Sequence, residues 1–165
     1  MTDVENTPII IRPATHKDKP QLLSLFYEFF EEMKETHSHF PEVAVFESVR
    51  NVPSFVEEDI NEYIDDYYIF VATEKDRLVG YISGEVFKEN YMELDKEGFI
   101  EDWYITKNYR GKGIGKQLFA KLMGIFSSKN CTHLGVEAFW DHKDAVNMYE
   151  KMGFVKHSVN FKKLI

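Results

Sequence analysis

The stretch from Tyr109 to Lys116 reads YRGKGIGK, three glycines interleaved with Arg110, Lys112 and Lys116. Residues of these types at this spacing suit an anion. Glycine lets the backbone take a positive φ and come close to a ligand. Free amides at the start of a helix, with the macrodipole behind them, favour a phosphate, and the cations add charge. Two familiar phosphate loops fail on spacing. A Walker A loop has four residues between its glycines, then Lys and Ser or Thr. Here Gly111 and Gly115 enclose three, and Gln117 follows Lys116. The G-x-G-x-x-G dinucleotide pattern opening at Gly111 needs a glycine where Lys116 stands. An ordinary glycine-rich turn uses the same letters, so the loop by itself leaves both readings open.

The elements that must position this loop follow from periodicity. Gly98 to Thr106 (GFIEDWYIT) predicts a strand leading in. Ile114, Leu118, Leu122, Ile125 and Phe126 mark one face of a helix leading out, to about Ser128. Upstream, Ile9 to Ile11 before Arg12-Pro13 predict a short strand. Leu22, Leu25, Phe26, Phe29, Phe30 and Met33 then form one helical stripe from Asp18 onward. Thr36 to Pro53 is ambiguous between a loop and a short helix, and Pro53 to Asp66 reads as an acidic amphipathic helix. Tyr67 to Thr73 and Leu78 to Phe87 predict a hairpin turning at Glu74 to Arg77, with Lys88 to Lys96 as a loop. Leu134 to Phe139 predicts a strand, Lys143 to Met152 a helix stopped by Gly153, and Phe154 to Leu164 one or two closing strands. The order is mixed α/β around one sheet.

Composition narrows the class. The 165 residues are 44% hydrophobic and 15% aromatic, enough for the core of one domain, 1–165, and too apolar for disorder. The first residues carry acids where a secretory signal carries bases before an apolar run, and no run nears the ~20 apolar residues of a membrane span. A soluble cytoplasmic protein is expected. The one cysteine, Cys131, excludes an internal disulfide and a Cys-based zinc site; it lacks a nearby base and reads as a bystander. His37 and His39 form an H-x-H pair without a third ligand at a persuasive spacing, so no metal is expected. The net charge of −8 divides unevenly, −13 from Met1 to Glu97 and +5 from Gly98 to Ile165. Scattered surface charge gives such splits too. No basic patch interleaved with aromatics argues for nucleic acid.

Two segments together carry a family resemblance. Arg110-x-x-Gly113-x-Gly115 resembles the acyl-CoA pyrophosphate motif of the GNAT N-acetyltransferases, Q/R-x-x-G-x-G/A. Ala145 to Phe154 (AVNMYEKMGF) is similar to that family's A-x-x-x-Y-E-K-x-G-F ending. The likeness is close from Phe99 to Phe154. It departs at His142, where many members carry an asparagine that assists cofactor binding. The resemblance implies the GNAT acyl-CoA N-acyltransferase fold, an α/β (α+β) arrangement with a central, mostly antiparallel sheet flanked by helices. It also implies direct transfer of acetyl from acetyl-CoA to an amine, with no covalent enzyme intermediate.

Such a reaction needs a base for the ammonium, a donor for the thioester oxygen and an acid for the departing sulfur. For the base the candidates are Glu101, acting directly or through water, and Asp102 behind it. Glu-Asp-x-x-hydrophobic before the loop resembles the diamine acetyltransferase branch. Simple alternation puts Phe99, Glu101, Trp103 and Ile105 on one face, and a bulge, which the family commonly has here, would reset that parity. Tyr149 matches the family's thiolate-side tyrosine, although Ala145, Met148, Tyr149 and Met152 also share a helical stripe suited to a core. Asn147 matches a position that the diamine branch keeps as Asn, where the resemblance implies a pantetheine contact; a plain solvent-facing helix residue is the alternative. The resemblance lays the backbone of Trp103, Tyr104 and Ile105 along the pantetheine arm, with the Ile105 amide on the acetyl oxygen. It sets the amides of Gly111, Lys112, Gly113, Ile114, Gly115 and Lys116 on the pyrophosphate, with Arg110 nearby.

The acceptor would face the acidic first half, where Glu28, Glu31, Glu32 and Glu35 share the first helix and Glu57, Glu58, Asp59, Glu62, Asp65 and Asp66 follow. A cationic amine, a polyamine or diamine, is the expectation. A peptide or protein acceptor and a non-catalytic acyl-CoA sensor are the alternatives. Exposed aromatics and a closing strand are compatible with a homodimer.

Overall fold

The computed structural model describes residues 7–36, 60, 63–88, 90–161 and 163. Five strands form one sheet in the order β1 (Ile9–Pro13), β2 (Tyr68–Glu74), β3 (Arg77–Lys88), β4 (Lys96–Ile105) and β5 (His133–Val136). The first four are antiparallel neighbours, and β4 runs parallel to β5. Parallel neighbours need a crossover, and the helix α2 (Ile114–Ser128) supplies it across one face of the sheet. The helix α1 (Lys19–Thr36) covers the other face, and α3 (Lys143–Lys151) follows β5.

Alternation along β2 divides the apolar residues between two cores. Ile69 and Val71 pack with Leu22, Leu25 and Phe26 of α1, while Phe70 and Ala72 pack with Ile114, Leu118, Leu122 and Phe126 of α2. The i, i+4, i+8 spacing on α2 makes that stripe continuous. Phe126 lies flat where β3 and β4 have no side chain: a Cβ on Gly98 would come within 2.6 Å of its ring, and one on Gly84 within 2.9 Å. The two glycines let the helix sit close to the sheet.

Most predicted elements fall within a residue or two of those observed. The hairpin is tighter than expected, since Glu74 pairs with Arg77 and only Lys75 and Asp76 turn, Lys75 at φ 54°. The strand predicted over Leu134 to Phe139 ends at Val136, where its pairing with β4 ends. The closing strands predicted over Phe154 to Leu164 are not formed: the described residues 154–161 and 163 carry no strand. Val155, Val159 and Phe161 there are exposed, and β-favouring composition without a paired edge makes no ladder. Ile60 and residues 63–66 are helical, as Pro53 to Asp66 predicted, and the rest of that segment and nearly all of Thr36 to Pro53 lie outside the described residues. No helix among the described residues is long and apolar enough to cross a membrane.

One buried carboxylate ties β1 to the start of α1. Asp18, 5% exposed, accepts two hydrogen bonds of 2.7 Å from the Arg12 guanidinium, one of 2.8 Å from the Thr15 amide and one of 3.0 Å from the Thr15 hydroxyl. These donors, the guanidinium first, hold the Asp18 carboxyl down at about 2. A depressed carboxylate stabilises the fold above its unfolded pKa, near ~4, and that contribution is lost as pH falls toward 2. Asp18→Asn leaves Arg12 without its counter-charge and is expected to cost about 3 kcal/mol at pH 7. Denaturant melts of the two proteins at pH 7 and pH 3 check this, the gap between them narrowing at the lower pH.

Candidate active site

The site begins with an irregularity in β4. Ile82 pairs with Trp103 and Gly84 with Ile100, so the single residue Ser83 faces both Glu101 and Asp102. This is a bulge, and it resets the side-chain parity. Simple alternation is therefore corrected: Phe99 and Glu101 share one face, but Trp103 and Ile105 lie on the other, against α2. The amide of Asp102 donates to the Ser83 hydroxyl at 3.1 Å, so a buried side chain replaces the ladder bond that the bulge removes. Tyr63 hydrogen bonds Ser83 and donates to the Asp102 carboxylate at 2.8 Å.

The acids collect on the α1 face among tyrosines. Tyr63 meets Phe26 edge to face and packs at a tilt against Tyr67, and Tyr81 lies between Phe26 and Tyr104. Tyr81 is fully buried, and among the described residues its hydroxyl has no hydrogen-bond partner. Glu101 is exposed as a residue, yet its carboxyl is pushed up to about 7, first by burial, then by a hydrogen bond with Glu85, then by the charges of Glu85, Asp102 and Glu137. Burial also raises Asp102, and the Tyr63 hydroxyl partly offsets it. On the opposite side of the strand, Trp103 stacks on Phe119 and meets the Tyr149 ring, with centroids 6.4 Å apart. Burial and then the Asp102 charge push Tyr149 up to about 12, so its hydroxyl keeps its proton at neutral pH.

A cleft opens beside this strand. Pairing between β4 and β5 covers only Glu97–Ile100 and His133–Val136. Beyond it, no strand among the described residues borders β4 on that side. The Thr106 amide donates to the Val79 carbonyl at 3.0 Å, which fixes the antiparallel alternation. Tyr104 then turns its main-chain groups toward β3, while Trp103 and Ile105 turn theirs to the open edge. At the end of this edge the chain makes a 3₁₀ turn (Lys107–Tyr109) and enters the glycine loop. Gly111 and Gly113 have φ of 75° and 79°, and a Cβ on either would meet nothing within 4 Å. Their need for glycine is conformational, and the space above them is free. The first turn of α2 carries no acid, and its first amide with a helical partner is that of Gln117. An open strand edge ending in unpaired helix amides fits an extended arm that finishes in a pyrophosphate.

The acetyltransferase (GNAT) family matches residues 21–154 of the chain. The chain belongs to the GNAT acetyltransferase family. As a member it is an acetyl-CoA-dependent N-acetyltransferase. Among its relatives, N-alpha-acetyltransferase 30 of Schizosaccharomyces pombe is 23% identical over 121 residues, which are 66% of this chain and 79% of that protein. The probable spermine N(1)-acetyltransferase of Bacillus subtilis subsp. natto is 30% identical over 80 residues, 47% of this chain and 52% of that protein. Among solved structures, the aminoglycoside N-acetyltransferase AAC(6')-Iy in complex with CoA superposes with a TM-score of 0.71 at 15% identity, covering 98% of this chain and 97% of that one. At that identity the likeness is one of fold.

In this GNAT enzyme the residues singled out from sequence do not all converge. Glu101 and Asp102 meet on the acidic face, and Trp103, Ile105 and Tyr149 gather on the other side of β4. Tyr104, 3% exposed, points into the α1 core and hydrogen bonds Glu32 at 3.2 Å. Arg110 is likewise engaged with Glu32. Asn147 is exposed on α3, and His142 is the residue preceding that helix. Cys131 is half-buried, and burial raises its thiol, which suits an inert residue. No group of potential metal ligands occurs among the described residues, which exclude His37 and His39. Sequence reasoning missed Ser83, Tyr63 and Glu85, whose places depend on register. Glu85→Gln is expected to lower the Glu101 midpoint while leaving it above the usual carboxylate range, because burial outweighs the partner. Carboxyl-carbon NMR titration of both proteins measures this.

Proposed function

We propose that this enzyme acetylates a small cationic amine of the polyamine or diamine kind, with Glu101 receiving the amine proton directly or through water. The observation that carries the reading is the acidic, tyrosine-lined face. Glu85, Glu101 and Asp102 lie there beside the partly exposed Tyr63 and Tyr67, and the acids' charges act on one another and on Tyr67. Rings and carboxylates together favour an alkylammonium, through cation–π attraction and direct charge. The relative named for spermine supports the same class. The relative named as an N-alpha-acetyltransferase favours a second reading, a peptide amine.

Acetyl-CoA supplies the acetyl group as an activated thioester. The outward amides of Trp103 and Ile105 would hold its arm, and those of Gly113 to Lys116 its pyrophosphate, with Lys112 and Lys116 adding charge. Tyr63 and Ser83 fix Asp102 between the two sides of β4. When ionised, it favours the protonated forms of Glu101 and Tyr149. In this reading Glu101 takes a proton from the acceptor nitrogen, and Tyr149 Oη gives one on the cofactor side.

A base must be ionised to act, so kcat/KM is expected to rise with pH through about 7 as Glu101 loses its proton. Glu101→Gln should abolish that limb and lower kcat/KM by ~10²-fold or more, leaving the rise from the amine itself near ~10. Tyr149→Phe should lower kcat by ~10²-fold with little change in the acetyl-CoA KM. Steady-state pH profiles of the three proteins decide both roles. The acceptor class rests on acetyl-CoA turnover with polyamines, aminoglycosides, amino acids and basic peptides. Diamines and polyamines should give the highest kcat/KM; preference for a peptide, or failure across the panel with CoA binding intact, would overturn the reading.

A further inference from the structure

Arg110 opens the glycine loop, where a cation would be expected to serve the pyrophosphate. Its guanidinium is instead engaged elsewhere. Nη1 and Nη2 each donate to one carboxylate oxygen of Glu32 on α1, both at 2.7 Å, and Nε donates to the Ile105 carbonyl at 2.8 Å. The guanidinium lies 5.4 Å from the centre of the Tyr104 ring, and the Tyr104 hydroxyl donates to the same carboxylate. The Glu32 side chain is 17% exposed, and Arg110 holds its carboxyl below the usual range. Paired forks of this kind fix geometry as well as charge.

We propose that Glu32 is a positioning residue for acetyl-CoA: it locks Arg110 as a strut between α1 and the last carbonyl of β4, so that Arg110 shapes the cofactor edge without meeting the pyrophosphate. Ile105 is the final residue of that edge, and its carbonyl belongs to the first peptide of the turn into the loop. Holding that peptide sets the direction in which the glycines leave the strand. A guanidinium neutralised by its own carboxylate has little charge left for a second anion. The amides, Lys112 and Lys116 are then the groups that hold the phosphates. The inference rests on acetyl-CoA occupying the open β4 edge and does not depend on which amine is acetylated.

The strut and its alternative predict opposite signs. If Arg110 must leave Glu32 to reach the pyrophosphate, removing Glu32 frees it and tightens CoA. If Arg110 is a strut, removing Glu32 loosens the edge and weakens CoA. The test is calorimetric titration of CoA into the full chain as wild type, Glu32→Gln, Arg110→Gln, Arg110→Lys and the Glu32→Gln/Arg110→Gln double variant, with melting temperatures measured alongside. The strut predicts a loss of about tenfold in Glu32→Gln, a similar loss in Arg110→Gln and no further loss in the double variant. It also predicts that Arg110→Lys, which keeps the charge but cannot fork, is as weak as Arg110→Gln. Unchanged or tighter binding by Glu32→Gln, additive losses, or near-normal binding by Arg110→Lys would each overturn it. A wild type that does not bind CoA would overturn the cofactor assignment along with it, whereas a wild type that binds beside an unaltered Glu32→Gln overturns the strut alone.

Discussion

One extra residue in β4 governs the arrangement of the site. Because Glu101 and Asp102 together face Ser83, two consecutive acids lie toward α1, and every side chain after them changes face. Without the bulge, Asp102 would fall among Ile100, Leu122 and Phe126, and Trp103 would leave its stacking partner Phe119. The bulge is sustained by a specific exchange of hydrogen bonds. Ser83 accepts from the Asp102 amide and contacts the Tyr63 hydroxyl, which in turn donates to the Asp102 carboxylate. An apolar residue at position 83 would leave a buried amide without its acceptor, a cost of about 1–3 kcal/mol.

The same bulge accounts for how the electrostatics are distributed. Asp102 sits where it is felt on both sides of the strand, by Glu101, Tyr63, Tyr67 and Tyr81 toward α1 and by Tyr149 toward the cofactor edge. A single charge thus favours the protonated form of a carboxyl on one side and of a phenol on the other. Keeping several acids close together is costly, and a cation arriving among them would relieve that cost. This is the physical link between the raised Glu101 and the proposed cationic acceptor.

Much of the fold was legible because the apolar spacing agrees with the final packing. The stripe Ile114, Leu118, Leu122 and Phe126 marked α2 and its end near Ser128, and the two glycines of positive φ stand in the loop where the letters put them. What could not be read depends on register. Ser83 in LVGYISGEVF gives no hint that it will stand opposite Glu101 and Asp102, and Tyr63 reads as one more apolar helix position. The closing strands failed for a related reason, since alternation in a sequence does not supply the partner that a ladder needs. Likewise, spacing identified Arg110 but could not foresee a carboxylate 78 positions earlier in the chain.

That last pairing alters the meaning of the uneven charge. The acidic first half and the basic second half look like two ligand preferences, but part of each is used to hold the other. Glu32 engages Arg110, and Glu35 approaches Lys107 at 3.8 Å, so the acidic helix α1 also grips the basic turn at the end of β4. On the proposed cofactor placement the pyrophosphate would depend chiefly on main-chain amides, with Lys112 resting over the Tyr109 ring at 4.8 Å as one adjacent cation. Amides fixed by glycine torsions need little reorganisation to meet an anion. Under the proposed strut, Arg110 acts as a brace while the helix terminus is left to meet the phosphates, and the alignment of that terminus becomes the property the brace controls.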